Sequence, residues 1–303
     1  MIPLGVQAES ELTVYGHVHN ALVSKSYEGD KESTVDVDSL GSRFGFKANS
    51  DLGNGLVGHA QLEIQVAADQ STGKNTTRLG FVGLSGGFGK VTIGSQGAAF
   101  KGSLHMDQSI WEGGIGGTTG ARHSNTIKYA NAVGPLSLQV DLKANDSDTD
   151  IQGPAGNGGA IGLKASLTDN IELGFAAEMS EHESKDSDWI GVSGKVSLGQ
   201  FWGALGWTNN EKTDAAGKTT SDTDYTTLWL GADVADGTSV HFGYGQEDDG
   251  GEATPTATTF GVFHNMGGGL AIWYEGQVND DDDDAALRES YEAIHRIGLR
   301  YIF

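Results

Sequence analysis

Arg43 and Lys47 alternate with Phe44 and Phe46, and Arg78 takes the parity opposite to Leu79 and Phe81. In an extended chain successive side chains point to opposite faces, so each segment would show one basic face and one apolar face. Guanidinium groups held in this way bind carboxylates or set a field over whatever passes them. Carboxylates occur in the segment from 98 to 122, where Asp107 and Glu112 stand with Lys101 and His105 ahead of Gly113, Gly114, Ile115, Gly116 and Gly117. A second acidic feature is the run Asp280, Asp281, Asp282, Asp283 and Asp284. It offers hard oxygen ligands for Ca²⁺ or Mg²⁺ but lacks the glycine and the ligand spacing of an EF-hand loop, so loose ion attraction at acidic loops is expected and no resident cofactor.

Catalytic chemistry finds no support. There is no Gly-x-Ser-x-Gly elbow, no His-Glu-x-x-His helix and no phosphate loop, so the chain is not expected to be an enzyme. The sequence has no Cys, which removes thiolate nucleophiles, thiolate metal sites and disulfides. His59, His241 and His264 are expected to be wall or rim residues.

The elements that must position these charges are strands. Leu56, Gly58, Ala60, Leu62, Ile64 and Val66 alternate with Val57, His59, Gln61, Glu63 and Gln65, a run long enough to cross a bilayer when tilted. Shorter alternations cover 12–19 and 42–48. Further strands are predicted near 75–85, 87–97, 123–132, 134–145, 158–168, 170–181, 186–197, 199–211, 222–235, 237–248, 255–266, 268–280 and 291–303, about sixteen altogether. Their connections alternate in length. Short turns near 85–87, 131–134, 168–170, 197–199 and 266–268 are separated by long polar stretches at 27–38, 146–158, 210–224, 247–257 and 279–289. Short turns on one rim and long loops on the other describe a membrane barrel, and a soluble sandwich or propeller has no reason to keep that rhythm. The segment 98–122, about twenty-five residues long, breaks it. A barrel of this size leaves an aqueous lumen, and the expected place for the segment is inside, narrowing the channel.

Composition agrees with such a barrel. The 303 residues include 47 Gly and 4 Pro, and the mean hydropathy is -0.32, without any apolar run of helical membrane-span length. Barrel walls show only every second residue to lipid, so a low average is compatible with a membrane protein. The formal net charge of -22 disfavours nucleic acid as a partner. Trp202, Trp207, Trp229, Trp273, Tyr274 and Tyr301 fall near predicted strand ends and are expected to form interfacial girdles. Residues 1–8 have neither the basic start nor the apolar stretch of an export signal, so the sequence is read as a mature form.

Leu12 to Gly16, Ser42 to Lys47 leading to Asp51-Leu52-Gly53-Asn54-Gly55, Arg78 to Gly89 running into Val91-Thr92-Ile93-Gly94, Asn125 to Tyr129 and the terminal Gly298 to Phe303 occur in an order that resembles the general diffusion porins of the Gram-negative outer membrane. The resemblance covers essentially the whole chain, 1–303, as a single barrel domain with a lead-in at 1–10 and a constriction loop at 98–122. It implies a sixteen-stranded antiparallel transmembrane β-barrel with an inward third loop, a homotrimer, and partners in lipid, lipopolysaccharide and the assembly machinery, for which Phe303 would be part of the signal. It also implies that Arg43 and Arg78 are wall arginines facing the loop acids Asp107 and Glu112, with His17 at a position often basic in relatives and Arg122 where the loop returns to the wall. Trp111 departs from the family pattern. The expected function is passive passage of ions and small hydrophilic solutes with a preference for cations. The alternatives are a substrate-specific porin, or a plugged structural or adhesive barrel.

Overall fold

The computed structural model describes residues 10–27, 31–69, 75–110, 117–144, 157–182, 185–251, 254–280 and 292–303. Its strands are β1 (Ser10–Ser26), β2 (Thr34–Ser39), β3 (Arg43–Gly53), β4 (Leu56–Gln65), β5 (Thr76–Gly86), β6 (Gly89–Gly97), β7 (Arg122–Val133), β8 (Leu136–Lys143) and β9 (Asn157–Thr168). They continue as β10 (Ile171–His182), β11 (Lys185–Leu198), β12 (Phe201–Asp214), β13 (Thr219–Ala235), β14 (Thr238–Asp248), β15 (Thr256–Gly267), β16 (Leu270–Asp280) and β17 (Ala293–Ile302). A one-turn helix, α1 (Ala99–Ser103), follows β6.

From β3 on, each strand pairs antiparallel with its neighbours in sequence, and β17 returns to β1 from His17↔Ile302 to Ser26↔Ala293, which closes the sheet. β2 and β3 both lie on β1, at Asn20 to Lys25 and at Ser10 to His17 respectively, so they are two halves of one interrupted wall strand. The result is a sixteen-strand closed antiparallel barrel. Closure matters because an open edge would leave unpaired amides in lipid.

Period two decides what each face meets. On β1, Leu12 is 65% exposed, and Val14, Val18 and Leu22 share its face, while His19 on the other parity is 2% exposed. The same split puts Ile297, Leu299, Tyr301 and Phe303 outside and Arg296 inside. Outward apolar groups and inward polar ones are the pattern of a wall with lipid on its outer face.

Three expectations need correction. Much of 34–39 is strand rather than loop, because Val35 and Val37 alternate with Asp36 and Asp38 and extend the wall. The stretch 210–224 is largely a hairpin: β12 runs to Asp214 and β13 starts at Thr219, and the Asp214 carboxylate accepts hydrogen bonds from the amides of Ala216 and Lys218. A register shift between Glu63 and Ile64, where β4 meets β5, places Phe81 opposite Gln61, on the inner face with Arg78 instead of opposite to it.

The aromatic girdle is also only partly as expected. Trp207 and Tyr301 are exposed on the outer face, and Tyr274 lies opposite the exposed Ile297. Trp229 and Trp273 point inward and are buried, because each occupies the inner parity, Trp229 between outward Leu228 and Leu230 and Trp273 between outward Ile272 and Tyr274; Trp202 shares the inner face of β12 with buried Ala204. Leu62→Arg, on the outer face at mid-strand, should lower the unfolding free energy by about 2–4 kcal/mol in urea titrations of vesicle-folded protein. Retained stability would mean that this face does not meet lipid.

Candidate functional site

The inner face at the middle of the wall collects the basic groups. Glu63 on β4 is their centre: its Oε1 lies 2.9 Å from Arg78 Nε and 3.7 Å from Arg43 Nη1. Its Oε2 accepts a hydrogen bond from the Tyr15 hydroxyl at 3.1 Å, and Gln61 donates to Tyr15 at 2.6 Å. Arg78 Nη1 also donates to Gln65 Oε1 at 2.8 Å. Glu63 and Gln65 thus present successive inward positions of one strand to the arginines, and Gln61, the next inward position, holds Tyr15. Arg122, the first residue of β7, is within electrostatic reach of Arg78, Arg43 and Glu63. His17 Nε2 is 3.0 Å from the Gly41 carbonyl, at the break between β2 and β3. The structure therefore brings Arg43, Arg78 and Arg122 to one site, with His17 beside Arg43 across the β1 pairing.

The segment after β6 packs against the inner face of other strands. Phe100, Leu104 and Met106 form a buried cluster with Ala176, against which Trp189 and Tyr225 pack. Trp229 Nε1 donates to the Met106 carbonyl at 2.9 Å, the His105 amide donates to Ser193 Oγ at 2.9 Å, and the Ile110 amide reaches Glu275 Oε2 at 2.6 Å. These partners stand on β13, β11 and β16, so the segment touches much of the circuit. Gly174 and Gly206 make room for it. A Cβ at Gly174 would strike the Ser103 carbonyl, and one at Gly206 the Met106 sulfur.

Asp107 and Lys101 sit on this segment and face each other, with Lys101 Nζ 3.8 Å from Asp107 Oδ2. Asp107 Oδ1 accepts from the Ser109 amide and hydroxyl at 3.0 and 2.7 Å. Among the described residues no ion pair joins Asp107 to the wall arginines; their carboxylate is Glu63. Glu112 and Trp111 lie outside the described residues, as do Asp281, Asp282, Asp283 and Asp284; Asp280 ends β16. Among the described residues there is also no cluster of three or more His, Asp or Glu placed to hold a metal ion. Burial, aided by Lys164, holds the His105 pKa below its ordinary value even though Glu172 Oε1 lies 2.6 Å from Nε2.

Sequence reasoning missed a buried network behind α1. His123 lies 3.4 Å from Asp141 and 3.1 Å from Glu178, Lys143 is 2.9 Å from Glu178, and the Ala99 amide donates to Asp141 at 2.7 Å. It also missed Glu275, which His241 approaches to 3.1 Å. Inward parity alone signalled these residues, and parity gives a face without a partner. Phe303 pairs through its backbone with Gly16 in both directions at 3.0 Å and leaves its side chain exposed.

A closed antiparallel barrel with an apolar exterior, a polar interior and charged groups gathered on the inner wall defines an outer-membrane-type β-barrel. The chain belongs to the Gram-negative porin family, whose model matches residues 2–286, and this places it in the bacterial outer membrane. It is 34% identical over 105 residues to the major outer membrane protein P.IB of Neisseria meningitidis serogroup A, a match covering 32% of each chain. It is 35% identical over 121 residues to P.IB of Neisseria gonorrhoeae, covering 37% of this chain and 34% of that one. These matches span about a third of the relatives' length. The anion-selective porin from Comamonas acidovorans superposes with a TM-score of 0.78 at 20% identity, covering 97% of this chain and 100% of that one. OmpT of Vibrio cholerae in its trimer form gives 0.77 at 17% identity, covering 97% and 99%. At those identities the likeness is one of fold.

Glu63 is buried against two arginines, so removing its charge should cost about 3–5 kcal/mol. Glu63→Gln is expected to show this as an earlier urea midpoint, and an unchanged midpoint would mean that solvent, not Glu63, stabilises the guanidinium groups.

Proposed function

We propose that this porin is a passive, water-filled channel for ions and small hydrophilic solutes, and that the segment carrying α1 narrows it against Arg43, Arg78 and Arg122. The observation that carries the reading is the set of contacts from Ala99 to Ile110 with inner-face groups of β8, β11, β13 and β16. They span a large part of the closed circuit and leave the arginine side of the wall opposite. A wet tube with fixed charges at its narrow level sorts solutes by width and field, and no covalent chemistry is needed. Arginines facing a hydrogen-bonded loop would orient dipolar solutes and disfavour apolar ones.

A homotrimer is proposed with it, supported by the similar fold of OmpT in its trimer form, and membrane lipid and lipopolysaccharide are proposed as partners in the outer-membrane setting. Phe303, exposed beside the closing strand, is proposed as part of the assembly signal.

Cation preference belongs to the acidic outer segments. The narrow level itself carries Arg43, Arg78 and Arg122 around Glu63, which opposes it. Overall selectivity for cations should therefore be weak. In planar bilayers a tenfold KCl gradient should give a cation-directed reversal potential well under the roughly 59 mV per decade of ideal exclusion. A near-ideal value of either sign would overturn the selectivity, and a silent bilayer would overturn the channel.

A further inference from the structure

The acidic balance of the chain conceals a division of charge along the barrel axis. Outer-membrane barrels keep short turns on the periplasmic side and long loops outside. The turns at Asn54-Gly55, Gly134-Pro135 and Gly199-Gln200 thus mark the periplasmic rim, and the segments beyond Ser26, Gln65 and Asp248 the outer one.

Between the arginine level and the periplasmic rim, the inner wall is basic. Lys47 stands 4.6 Å from the centre of the Tyr15 ring, whose hydroxyl reaches Glu63, and Lys90 lies 5.5 Å from the Phe81 ring. Across the lumen Lys195 donates to Gln108 at 2.8 Å, and Lys164 is 3.4 Å from Glu172. Arg300 lies 5.2 Å from the Phe263 ring and is paired in register with His19. The inner-face acids of this zone are each engaged by a base: Glu172 by Lys164 and His105, Asp141 by Lys128, Glu178 by Lys143 and Glu275 by His241. Glu11, Asp51 and Asp233 come only at the rim itself, where Asp51 caps the turn through the Gly53 amide.

Above the arginine level the sign changes. Asp36 and Asp38 occupy the inner parity of β2, since Val35 and Val37 take the outer one, and Glu247 lies opposite Tyr225. Lys25 is the base beside them, and Asp248 and Asp249 follow at the end of β14.

We propose that the pore is an axially polarised, rectifying channel: a cation-collecting outer mouth in series with an anion-collecting periplasmic vestibule. The proposal rests on the channel reading. Fixed charge enriches its counter-ions, so cations are the majority carriers outside and small anions the majority carriers inside. A field directed from the outer mouth to the periplasm drives both towards the junction and fills the pore with carriers. The opposite field draws both away and depletes it. Current is therefore larger with the outer side positive, and small anions, phosphate and carboxylate compounds included, leave the periplasm more readily under that field than they enter under its reverse.

Single-channel current–voltage curves test this. Orientation is fixed with Asp249→Cys, which in a chain without cysteine is labelled only by an impermeant thiol reagent on the outer side. At 0.05 M KCl the currents at equal and opposite voltages should differ by roughly twofold, the larger with the outer side positive. At 1 M, where the screening length falls to about 3 Å, the ratio should approach unity. Lys164→Gln combined with Lys195→Gln should reduce the ratio at low salt, and so should Asp36→Asn with Asp38→Asn, because each pair discharges one pole. An ohmic, symmetric conductance at low salt would overturn the polarity while leaving the channel, and the opposite sign of rectification would do the same. A ratio indifferent to salt or to both pairs of variants would assign the asymmetry to shape and overturn the proposal, whereas a silent bilayer would remove the channel and the proposal together.

Discussion

The closed ladder of backbone hydrogen bonds is the constraint on which everything else depends. In hydrocarbon an amide without a partner costs several kcal/mol, so the strand from Ala293 to Ile302 must return to β1. Once the sheet closes, the two-residue period leaves no neutral choice: every side chain of a wall strand meets lipid or the interior. Exposed Leu228 and Leu230 flank buried Trp229 for this reason alone. The wall thereby converts a local alternation into a global sorting of apolar from polar groups.

Sorting polar groups inward creates a second problem, which the interior solves by pairing. Asp141, Glu178 and His123 are fully enclosed, and they are tolerable because Lys143, Lys128 and the Ala99 amide meet them. A buried charge deprived of its partner costs about 3–5 kcal/mol, so the network fixes where α1 leaves the wall. From there the Met106 carbonyl and the Ile110 amide are held by Trp229 and Glu275. The segment is positioned by side chains of the wall, which makes its path a property of the barrel more than of its own glycine-rich sequence.

That dependence explains what was legible in the sequence. The strands and their faces could be read because alternation is local: the terminal Ile297, Leu299, Tyr301 and Phe303 are exposed as their parity requires. Arg43 could be placed inside for the same reason, whereas Arg78 lies inside although Phe81, its parity reference, does too. The reading failed where a single residue broke the period. The register shift beside Glu63 moved Phe81 to the inner face, and a one-residue slip is enough to do so. It failed again where acids mimicked loops, because Asp36 and Asp38 sit in β2 and Asp214 in β12. Glu63 as the partner of two arginines was out of reach, since cross-strand pairing at that point depends on the same shift.

Net charge illustrates the difference between composition and position most sharply. A value of -22 suggests an acidic interior, yet lysines and arginines gather on the inner wall. Within a lumen, a charge acts on ions inside about one screening length, roughly 8 Å at physiological salt. Carboxylates on the outer hairpins, such as Asp222 and Asp224 held by Asn209, therefore contribute little to the field at Glu63. The wall at that level answers to Arg43, Arg78 and Arg122, and below it to Lys47, Lys90, Lys164 and Lys195. A closed barrel makes this separation possible: its strands carry each side chain to a fixed height, so one acidic chain can line the inner part of its pore with base.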